Sequence, residues 1–276
     1  MAPWKYFDAA ELFMARGFSQ LGHQVFKARN LTVERVKQDY QDIDITLVYQ
    51  GLERRWQNLA DVEGLPGNKK AVMLMDNYLR FQDRRRDQGV EFAAAWDFIF
   101  HAHHSPLEDD PRVQFLPVAF DPETHYWDGE KEQKTIDVCF IGTAHPSRMW
   151  MANERMMIYG NDWGPFHEPI YGERKRKEIK HVKINLNAHF PGDTVNMRQF
   201  EILAMHGFLL TDSGWSFIDG KEVAVYDGKP LDYRKQVAYW LEDENERERI
   251  AEAGYKAVQP HTYKERAKEL LKVMGF

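Results

Sequence analysis

Residues 196–212 read NMRQFEILAMHGFLLTD, in which a helix pattern leads directly into a strand pattern. Asn196 followed three residues later by Gln199 is a capping box, so a helix is predicted to begin there, and Gly207 is a typical residue for its C-terminal end. The apolar run after the glycine predicts a strand. The N-terminus of such a helix offers unpaired backbone N–H groups and a partial positive charge, which suit an anionic ligand such as a diphosphate.

Two charged residues of this helix indicate what kind of molecule carries the anion. Arg198 lies in the first turn, where a positive charge opposes the helix dipole unless an anion is near. Glu201 lies about one and a half turns into the helix, where a carboxylate can hold a pair of vicinal hydroxyls. A diphosphate next to vicinal hydroxyls indicates a sugar nucleotide.

This stretch resembles the C-terminal half of GT-B glycosyltransferases, most closely the CgeB-like "glycosyl transferases group 1" domain. The family pattern is Asn-x-Arg-x-Phe-Glu, then small residues, a Gly, a Phe-Leu-Leu-Thr-Asp strand and an Ile-Ala-Glu-Ala-Gly-Tyr segment, and it is matched by residues 196–212 and 250–255. The resemblance implies transfer of a sugar from a nucleoside-diphosphate sugar to a hydroxyl acceptor. It also implies a metal-independent reaction that retains the anomeric configuration, and uridine is favoured because it is the commonest donor base.

The same resemblance implies roles for individual residues. Glu201 corresponds to the acid that contacts the ribose. In many retaining relatives another acid stands eight residues earlier, near the donor sugar, and that position here is Asp193, shorter than the usual Glu. His103 follows the strand pattern at Asp97–Phe100 and corresponds to a histidine that is hydrogen-bonded to the sugar in some family-four transferases, so it is favoured over His101. A structural loop histidine is the alternative.

A second ligand-binding turn is predicted where the strand pattern at 136–141 ends, in the run GTAHPSR of residues 142–148. In open α/β sheets, ligands bind beyond the carboxyl ends of the strands. Gly142 permits close backbone approach, and Arg148 can bind a phosphate bidentately. An ordinary turn with a surface arginine is the alternative, and the family resemblance favours the phosphate. The predicted donor-binding set is Gly142, Thr143, Arg148, Asn196, Arg198 and Glu201, with His103 and Asp193 as catalytic candidates.

Other cofactor chemistry is not expected. Asp42 and Asp44 match a short metal-binding motif, but the second Asp enters an apolar strand, so the match is attributed to chance. The histidines at 101–104 lack a nearby Cys and an i, i+4 partner. The turn at Gly142 lacks the glycine fingerprint of dinucleotide-binding enzymes. No metal site is predicted, and no cofactor other than the nucleotide sugar as co-substrate.

Strand and helix patterns alternate along the whole chain, which predicts parallel α/β sheets. A polar segment with Pro122, Gly129 and the charged run at 130–134 interrupts this alternation. The predicted fold is therefore two Rossmann-like domains that face a central cleft, the GT-B arrangement. They are an N-terminal acceptor domain, 1–125, and a C-terminal nucleotide-sugar-binding domain, 126–276.

The 276 residues carry a formal net charge of −6, which disfavours a protein held to nucleic acid by general electrostatics. The basic runs at 84–86 and 174–177 are interpreted as solvated helix faces. Cys139, the single cysteine, lies in an apolar strand pattern and is expected to be buried. No apolar stretch approaches the roughly 20 residues of a membrane span, and no signal core is evident, so a cytoplasmic location is expected.

Two other functions fit the same residues. A DNA-modifying glycosyltransferase would act on a hydroxymethylated base flipped from the duplex, and the acidic net charge argues against it. A non-catalytic nucleotide-sugar-binding module of the same fold would keep Arg148, Arg198 and Glu201. Salt-dependent duplex binding and donor turnover distinguish these alternatives. The oligomeric state is not predicted.

Overall fold

A computed structural model describes residues 9–26, 33–39, 42–50, 64–74, 96–103, 110–165 and 167–276. The chain forms two compact units. The C-terminal unit contains the described residues up to Phe13 together with Ala119–Glu265, and the N-terminal unit contains Met14–Val118 together with Arg266–Phe276. Residues 119–125, which the sequence pattern assigns to the N-terminal domain, group with the C-terminal unit.

The N-terminal unit contains a parallel sheet of four described strands in the order β1-β2-β3-β4. Apolar runs form these strands because parallel strands are covered on both faces, and Ala71, Val72 and Phe100 are fully buried. The strands are β1 (Ile45–Gln50), β2 (Lys69–Leu74), β3 (Phe98–His101) and β4 (Val113–Phe115), and the described helices before them are α1 (Ala10–Gln20) and α2 (Val33–Asp39).

The C-terminal unit contains a parallel sheet of five described strands in the order β6-β5-β7-β8-β9. They are β5 (Ile136–Ile141), β6 (Met157–Tyr159), β7 (Val182–Asn187), β8 (Leu209–Thr211) and β9 (Ala224–Val225). Its described helices are a 3₁₀ helix (Pro146–Asn153), α3 (Gly172–His181), α4 (Met197–Ala204), α5 (Pro230–Glu242) and α6 (Glu244–Val258). Helix α7 (Tyr263–Met274) begins in this unit and continues in the N-terminal unit. The predicted α/β class with parallel sheets is confirmed.

Helix α4 begins as the sequence predicts and ends differently. The Asn196 side chain accepts from the Gln199 backbone N–H, the Gln199 side chain accepts in return, and the capping box is confirmed. At the other end the left-handed residue is His206, with φ 59°, and not Gly207. The glycine is needed for space, because a Cβ there would lie 2.8 Å from Ile202 Cγ2 and 2.9 Å from Asn185 Nδ2. His206 is held in its unusual conformation by stacking on Trp127 at a centroid distance of 3.9 Å.

The last residues of the chain, from Arg266 onwards, pack within the N-terminal unit. Arg266 Nε donates to the backbone oxygen of Pro117 at 2.9 Å. Lys69, at the start of β2, donates to the Met274 carbonyl and lies 4.6 Å from the Phe276 ring centroid. The chain therefore passes between the two units twice after α1, once near residue 118 and once inside α7.

Several local predictions need correction. The sequence pattern from Gln24 to Ala28 predicts a strand, but residues 24–26 form none. The pattern near 147–156 predicts a helix, and the structure has a 3₁₀ helix there. The basic run at 174–177 is not a fully solvated face, because Lys175 and Arg176 are 2% and 8% exposed and form ion pairs. Burial of Cys139 is confirmed, and burial raises the pKa of its thiol to about 12. The basic run at 84–86 and His104 lie outside the described residues.

Candidate functional site

The carboxyl ends of four strands of the C-terminal unit, β5, β7, β8 and β9, border a depression of about 310 Å³. The loops that follow these strands supply its lining, and every lining residue belongs to the C-terminal unit. This edge of an open parallel sheet is the usual place for a ligand, because the loops after the strands diverge there and leave a crevice. The depression is therefore the candidate functional site.

Arg148, in the 3₁₀ helix after β5, is the cation of this site. Its residue surface is only 6% exposed, its guanidinium lies 3.9 Å from the Phe190 ring centroid, and it donates to the carbonyls of Thr143, at 3.2 Å, and Ala188. Its Nε has no hydrogen-bond partner among the described residues. Burial lowers the pKa of Arg148 to about 10, and nearby Asp212 opposes this shift, so the side chain remains charged at neutral pH. A buried guanidinium with an unused donor is suited to an anionic ligand.

His189 and Asp212 form a hydrogen-bonded pair in the same depression. His189 follows β7, and Asp212 follows the neighbouring strand β8. The His189 backbone N–H lies 3.0 Å from each Asp212 carboxylate oxygen, and its ring Nδ1 lies 2.5 Å from Oδ1. The His189 side chain is 3% exposed and the Asp212 side chain 20% exposed. The aspartate therefore presents the accessible surface of the pair.

Two further acids line the depression, so it carries both signs of charge. Asp193 lies in the loop after β7 and Asp227 in the loop after β9. The Asp227 carboxylate accepts from the Lys229 backbone N–H at 2.9 Å and lies 3.5 Å from the Lys229 ammonium. A ligand that combines an anionic group with hydroxyl donors matches this arrangement better than a simple anion does.

Glu201 lies outside this lining, in a buried cluster of charged and polar side chains. It has no exposed surface, and its carboxylate oxygens lie 3.0 Å from Lys175 Nζ, 3.2 Å from Arg198 Nε and 3.4 Å from His125 Nε2. Burial by itself raises the pKa of Glu201, but the charges of Lys175 and Arg198 outweigh it and lower the pKa to about 2. We refer to Glu201, Lys175, Arg198 and His125 as the Glu201 cluster.

The structure brings together only part of the predicted donor-binding set. Arg148 and Asp193 line the depression together. A Cβ on Gly142 would lie 2.8 Å from Phe140 Cζ, so the space that this glycine leaves is occupied by a protein side chain. Thr143 contributes its carbonyl to Arg148. The remaining predicted residues, Asn196, Arg198 and Glu201, lie outside the lining of the depression.

His103 belongs to the N-terminal unit, whereas the depression belongs to the C-terminal unit. It follows β3 by two residues and is 6% exposed, and neighbouring His101 is 1% exposed. Its contact with a donor sugar stays a prediction.

The sequence reasoning missed His189 and Asp212. Each follows the end of a strand, and the two strands are neighbours in the sheet. Polar residues directly after adjacent parallel strands meet at one edge, so the positions alone were a usable signal. Within the described ranges, no group of three His, Cys, Asp or Glu side chains has a metal-binding arrangement. None of the described helices is long and apolar enough to cross a bilayer.

Comparisons with known proteins agree with this geometry. Residues 143–272 match the model of a glycosyl transferase-like family. The fold is similar to an alpha-glucosyltransferase in complex with UDP and a 13-mer DNA (TM-score 0.68, 11% identity, 97% of this chain and 95% of that one). It is also similar to the DNA modifying enzyme beta-glucosyltransferase (TM-score 0.58, 11% identity, 96% and 93%). A third similar structure is AviGT4, a glycosyltransferase involved in avilamycin A biosynthesis (TM-score 0.56, 14% identity, 96% and 87%).

No protein of curated function matches the sequence. The matched segment begins in the turn after β5 and ends in α7, so it contains the depression, the capped helix α4 and all of the Glu201 cluster except His125. The similar solved structures include GT-B glycosyltransferases, which confirms the predicted fold class. The chain has the GT-B fold of these glycosyltransferases, and its residues 143–272 match the model of the glycosyl transferase-like family.

Proposed function

We propose that this chain transfers a sugar from a nucleoside-diphosphate sugar, with UDP as the favoured nucleotide, to a hydroxyl acceptor. The observation that carries the proposal is Arg148, a buried guanidinium with an unused Nε donor in a depression at the carboxyl ends of the strands. Two carbonyls and the Phe190 ring hold it in place before any ligand arrives. A donor group fixed in advance is what stabilises the charge that develops on a departing diphosphate.

The other predicted residues enter the proposal with separate roles. Asp193 lines the same depression and is proposed to position the donor sugar, together with His103 of the N-terminal unit. With Arg148 and Arg198 as the positive charges, the reaction is proposed to retain the anomeric configuration and to need no metal. A ribose contact by Glu201 requires its carboxylate to leave the Glu201 cluster, because the side chain has no exposed surface.

Binding calorimetry tests the donor assignment. The ligands are UDP-glucose, UDP, GDP-mannose and TDP-glucose, and the protein variants are the parent, Arg148→Lys and, as a control, Arg174→Lys. Arg174 is an exposed cation outside the depression. We expect Arg148→Lys to lose about 2 kcal/mol or more of nucleotide affinity, because an ammonium cannot reproduce the fixed guanidinium contacts. Arg174→Lys is expected to bind like the parent, and equal binding by both variants would contradict the assignment.

Product analysis tests the chemistry. The anomeric proton signal of the product, recorded with a chelator present, is expected to show the configuration of the donor. An inverted product, or activity that is lost with chelator and restored by a divalent ion, would contradict the proposed mechanism and leave the donor assignment standing. Donor binding without any turnover or hydrolysis would favour the non-catalytic module.

Duplex DNA with a hydroxymethylated base is a second candidate acceptor. The observation in its favour is that the fold likeness to the alpha-glucosyltransferase bound to DNA covers nearly all of both chains, and one such complex contains a hydroxymethyluracil (HMU) base. The net charge of −6 opposes it. Transfer of labelled sugar to a hydroxymethylated duplex, and not to an unmodified one, is the expected result if DNA is the acceptor. Duplex binding that is absent at low salt would remove this candidate.

A further inference from the structure

His189 and Asp212 have no assigned role, although they line the depression beside Arg148. Two acceptor oxygens of Asp212 face the backbone N–H of His189, and Oδ1 also faces its ring Nδ1. The question that decides their chemistry is which ring nitrogen of His189 carries the proton. The hydrogen bonds around the pair answer it.

The direction of these hydrogen bonds is set at the start of α4. The Asn196 oxygen accepts from the Gln199 backbone N–H, so the Asn196 amide nitrogen must face the other way, and it donates to Asn187 Oδ1 at 3.1 Å. The Asn187 amide nitrogen is then a donor. It lies 3.3 Å from Thr211 Oγ1 and 3.5 Å from His189 Nε2.

Thr211 supports the same orientation independently. Its hydroxyl donates to the Ser213 carbonyl at 3.0 Å, so its oxygen is free to accept from Asn187. With the Asn187 N–H directed at Nε2, that ring nitrogen is the acceptor. The proton of His189 therefore lies on Nδ1, where it is donated to Asp212.

In this arrangement Asp212 accepts from His189 and presents its carboxylate to the depression. The carboxylate lies in the same depression as the Arg148 guanidinium, which holds an unused donor for an anion. A negative group repels phosphate, so the ligand that suits Asp212 is a hydroxyl donor. Oδ1 accepts from both the backbone N–H and Nδ1 of His189, so the lone pair left for a ligand is on Oδ2, and the side chain is partly exposed.

We propose that Asp212 is the carboxylate that accepts hydrogen bonds from the hydroxyls of the bound nucleotide sugar, and that His189 is the residue that positions it. The inference rests on the proposed function and adds a binding group to it. Nucleotide sugars carry hydroxyls on both the ribose and the transferred sugar, and the chemistry at Asp212 is the same for either. The experiment separates the two sources.

Calorimetry with UDP-glucose, UDP and 2′-deoxy-UDP is carried out on the parent, Asp212→Asn and Asp137→Asn. Asp137→Asn is the matched control, because it removes the same charge at a site outside the depression, where the carboxylate binds Lys183. We expect Asp212→Asn to weaken UDP-glucose by about 10- to 100-fold, the usual effect of losing hydrogen bonds to a charged group. If Asp212→Asn loses affinity for UDP-glucose and not for UDP, Asp212 contacts the transferred sugar. If it also loses affinity for UDP, but not for 2′-deoxy-UDP, Asp212 contacts the ribose.

The positioning role of His189 is tested by two substitutions. Asn places its amide nitrogen near the position of Nδ1, so His189→Asn is expected to bind donor within about threefold of the parent, whereas His189→Leu is expected to behave like Asp212→Asn. Equal damage in both His189 variants, with Asp212→Asn unaffected, would assign the function to Nε2 and overturn the inference. A general structural role would weaken all three ligands alike.

A measurement on the unchanged protein guards against variants that do not fold. Long-range proton–nitrogen NMR of the parent is expected to show His189 as the Nδ1–H tautomer, with the Nδ1–H signal shifted when UDP-glucose binds. An unshifted signal with bound donor would overturn the inference. If the parent binds none of the nucleotides, the proposed function fails, and if the parent binds donor and Asp212→Asn binds every ligand equally well, the inference alone fails.

Discussion

The Glu201 cluster and the depression contain similar groups but differ in access to ligand. In the cluster, a carboxylate with no exposed surface lies within 3.4 Å of Lys175, Arg198 and His125. In the depression, Asp212 keeps an accessible surface and Arg148 keeps an unused donor. The charges of the cluster form ion pairs that connect α3 and α4, although both Glu201 oxygens and Arg198 Nε and Nη1 lack a hydrogen-bond partner among the described residues. The two regions therefore differ in access to solvent, and a charge without access to solvent is closed to a ligand.

The two regions are adjacent along the chain, which is why the sequence did not separate them. Both include residues connected with α4: Asn196 is its N-cap, and Glu201 lies within it. Glu201 connects α4 with Lys175 of α3 and with the segment that contains His125. The comparison therefore assigns folding stability to the buried ion pair of Glu201 and Lys175 and ligand binding to the depression, and substitutions can test that division.

The largest expected effect is the loss of stability in Glu201→Gln. Removing one partner of a buried charge cluster costs about 3–5 kcal/mol of folding free energy, because the remaining charges lose their compensation. Urea denaturation of the parent and the variant measures this change. Asp227→Asn, an exposed site, is the control and is expected to change stability by less than about 0.5 kcal/mol. Unchanged stability together with lost nucleotide affinity would contradict the structural role of Glu201 and would support its contact with the ribose.

The pH dependence of the same group is the second prediction. The pKa of Glu201 is lowered from 4.5 to about 2 in the folded chain. The unfolded chain therefore takes up this proton first, so the stabilisation is complete above about pH 5 and is lost as the pH falls toward 2. We expect the stability difference between the parent and Glu201→Gln to shrink between about pH 5 and pH 3. A difference that stays constant over this range would show that the carboxyl pKa is not lowered.

A smaller effect is expected at the edge of the depression, in Phe190→Leu. The Phe190 ring lies 3.9 Å from the Arg148 guanidinium and helps to hold it. Loss of this contact is expected to cost up to about 2 kcal/mol of UDP affinity, because a desolvated cation–π contact contributes about that amount. Trp215→Leu, an aromatic substitution outside the lining, is the comparison, and an equal loss in both would remove the special role of Phe190.

The smallest effect is expected where the two regions meet, in Asn196→Ala. The substitution removes the capping box of α4 and the amide that orients Asn187. We expect a loss of about 1 kcal/mol in folding free energy, measured by urea denaturation. Asn196→Asp keeps the capping acceptor and removes the amide donor, so it is expected to recover the stability and to leave any change in UDP-glucose affinity in place. If UDP-glucose affinity recovers together with stability, the Asn196 amide has no influence on ligand binding in the depression.

Features that depend on neighbours in sequence were predictable. Capping of α4 by Asn196 needs only residues three apart, and burial of Cys139 follows from its apolar strand. The bounds of β5 agree with the predicted 136–141, because buried parallel strands have continuous apolar runs in their sequence. The short strand β9 was not predicted, because two residues are too few to show the periodicity of a strand.

Features that depend on distant residues were not predictable. The basic run at 174–177 has the composition of a solvated face, but Lys175 is directed at Glu201 of another helix and is buried. Gly207 was read as a helix stop, whereas the structure needs it for the space between Ile202 and Asn185. Each of these outcomes is decided by a partner that packing brings close and that no local pattern specifies.

The sequence by itself determined the parallel α/β class and the capped helix with the strand that follows it, because periodicity and capping depend on residues that are close in sequence. It also carried the resemblance to the glycosyl transferase-like family. Only the tertiary structure decided which charges face a ligand. Arg148, His189 and Asp212 are far apart in sequence, and they meet because β5, β7 and β8 end at the same edge of one sheet. Glu201 is directed inward for the same kind of reason, since the packing of α3 and α4 places a lysine against it.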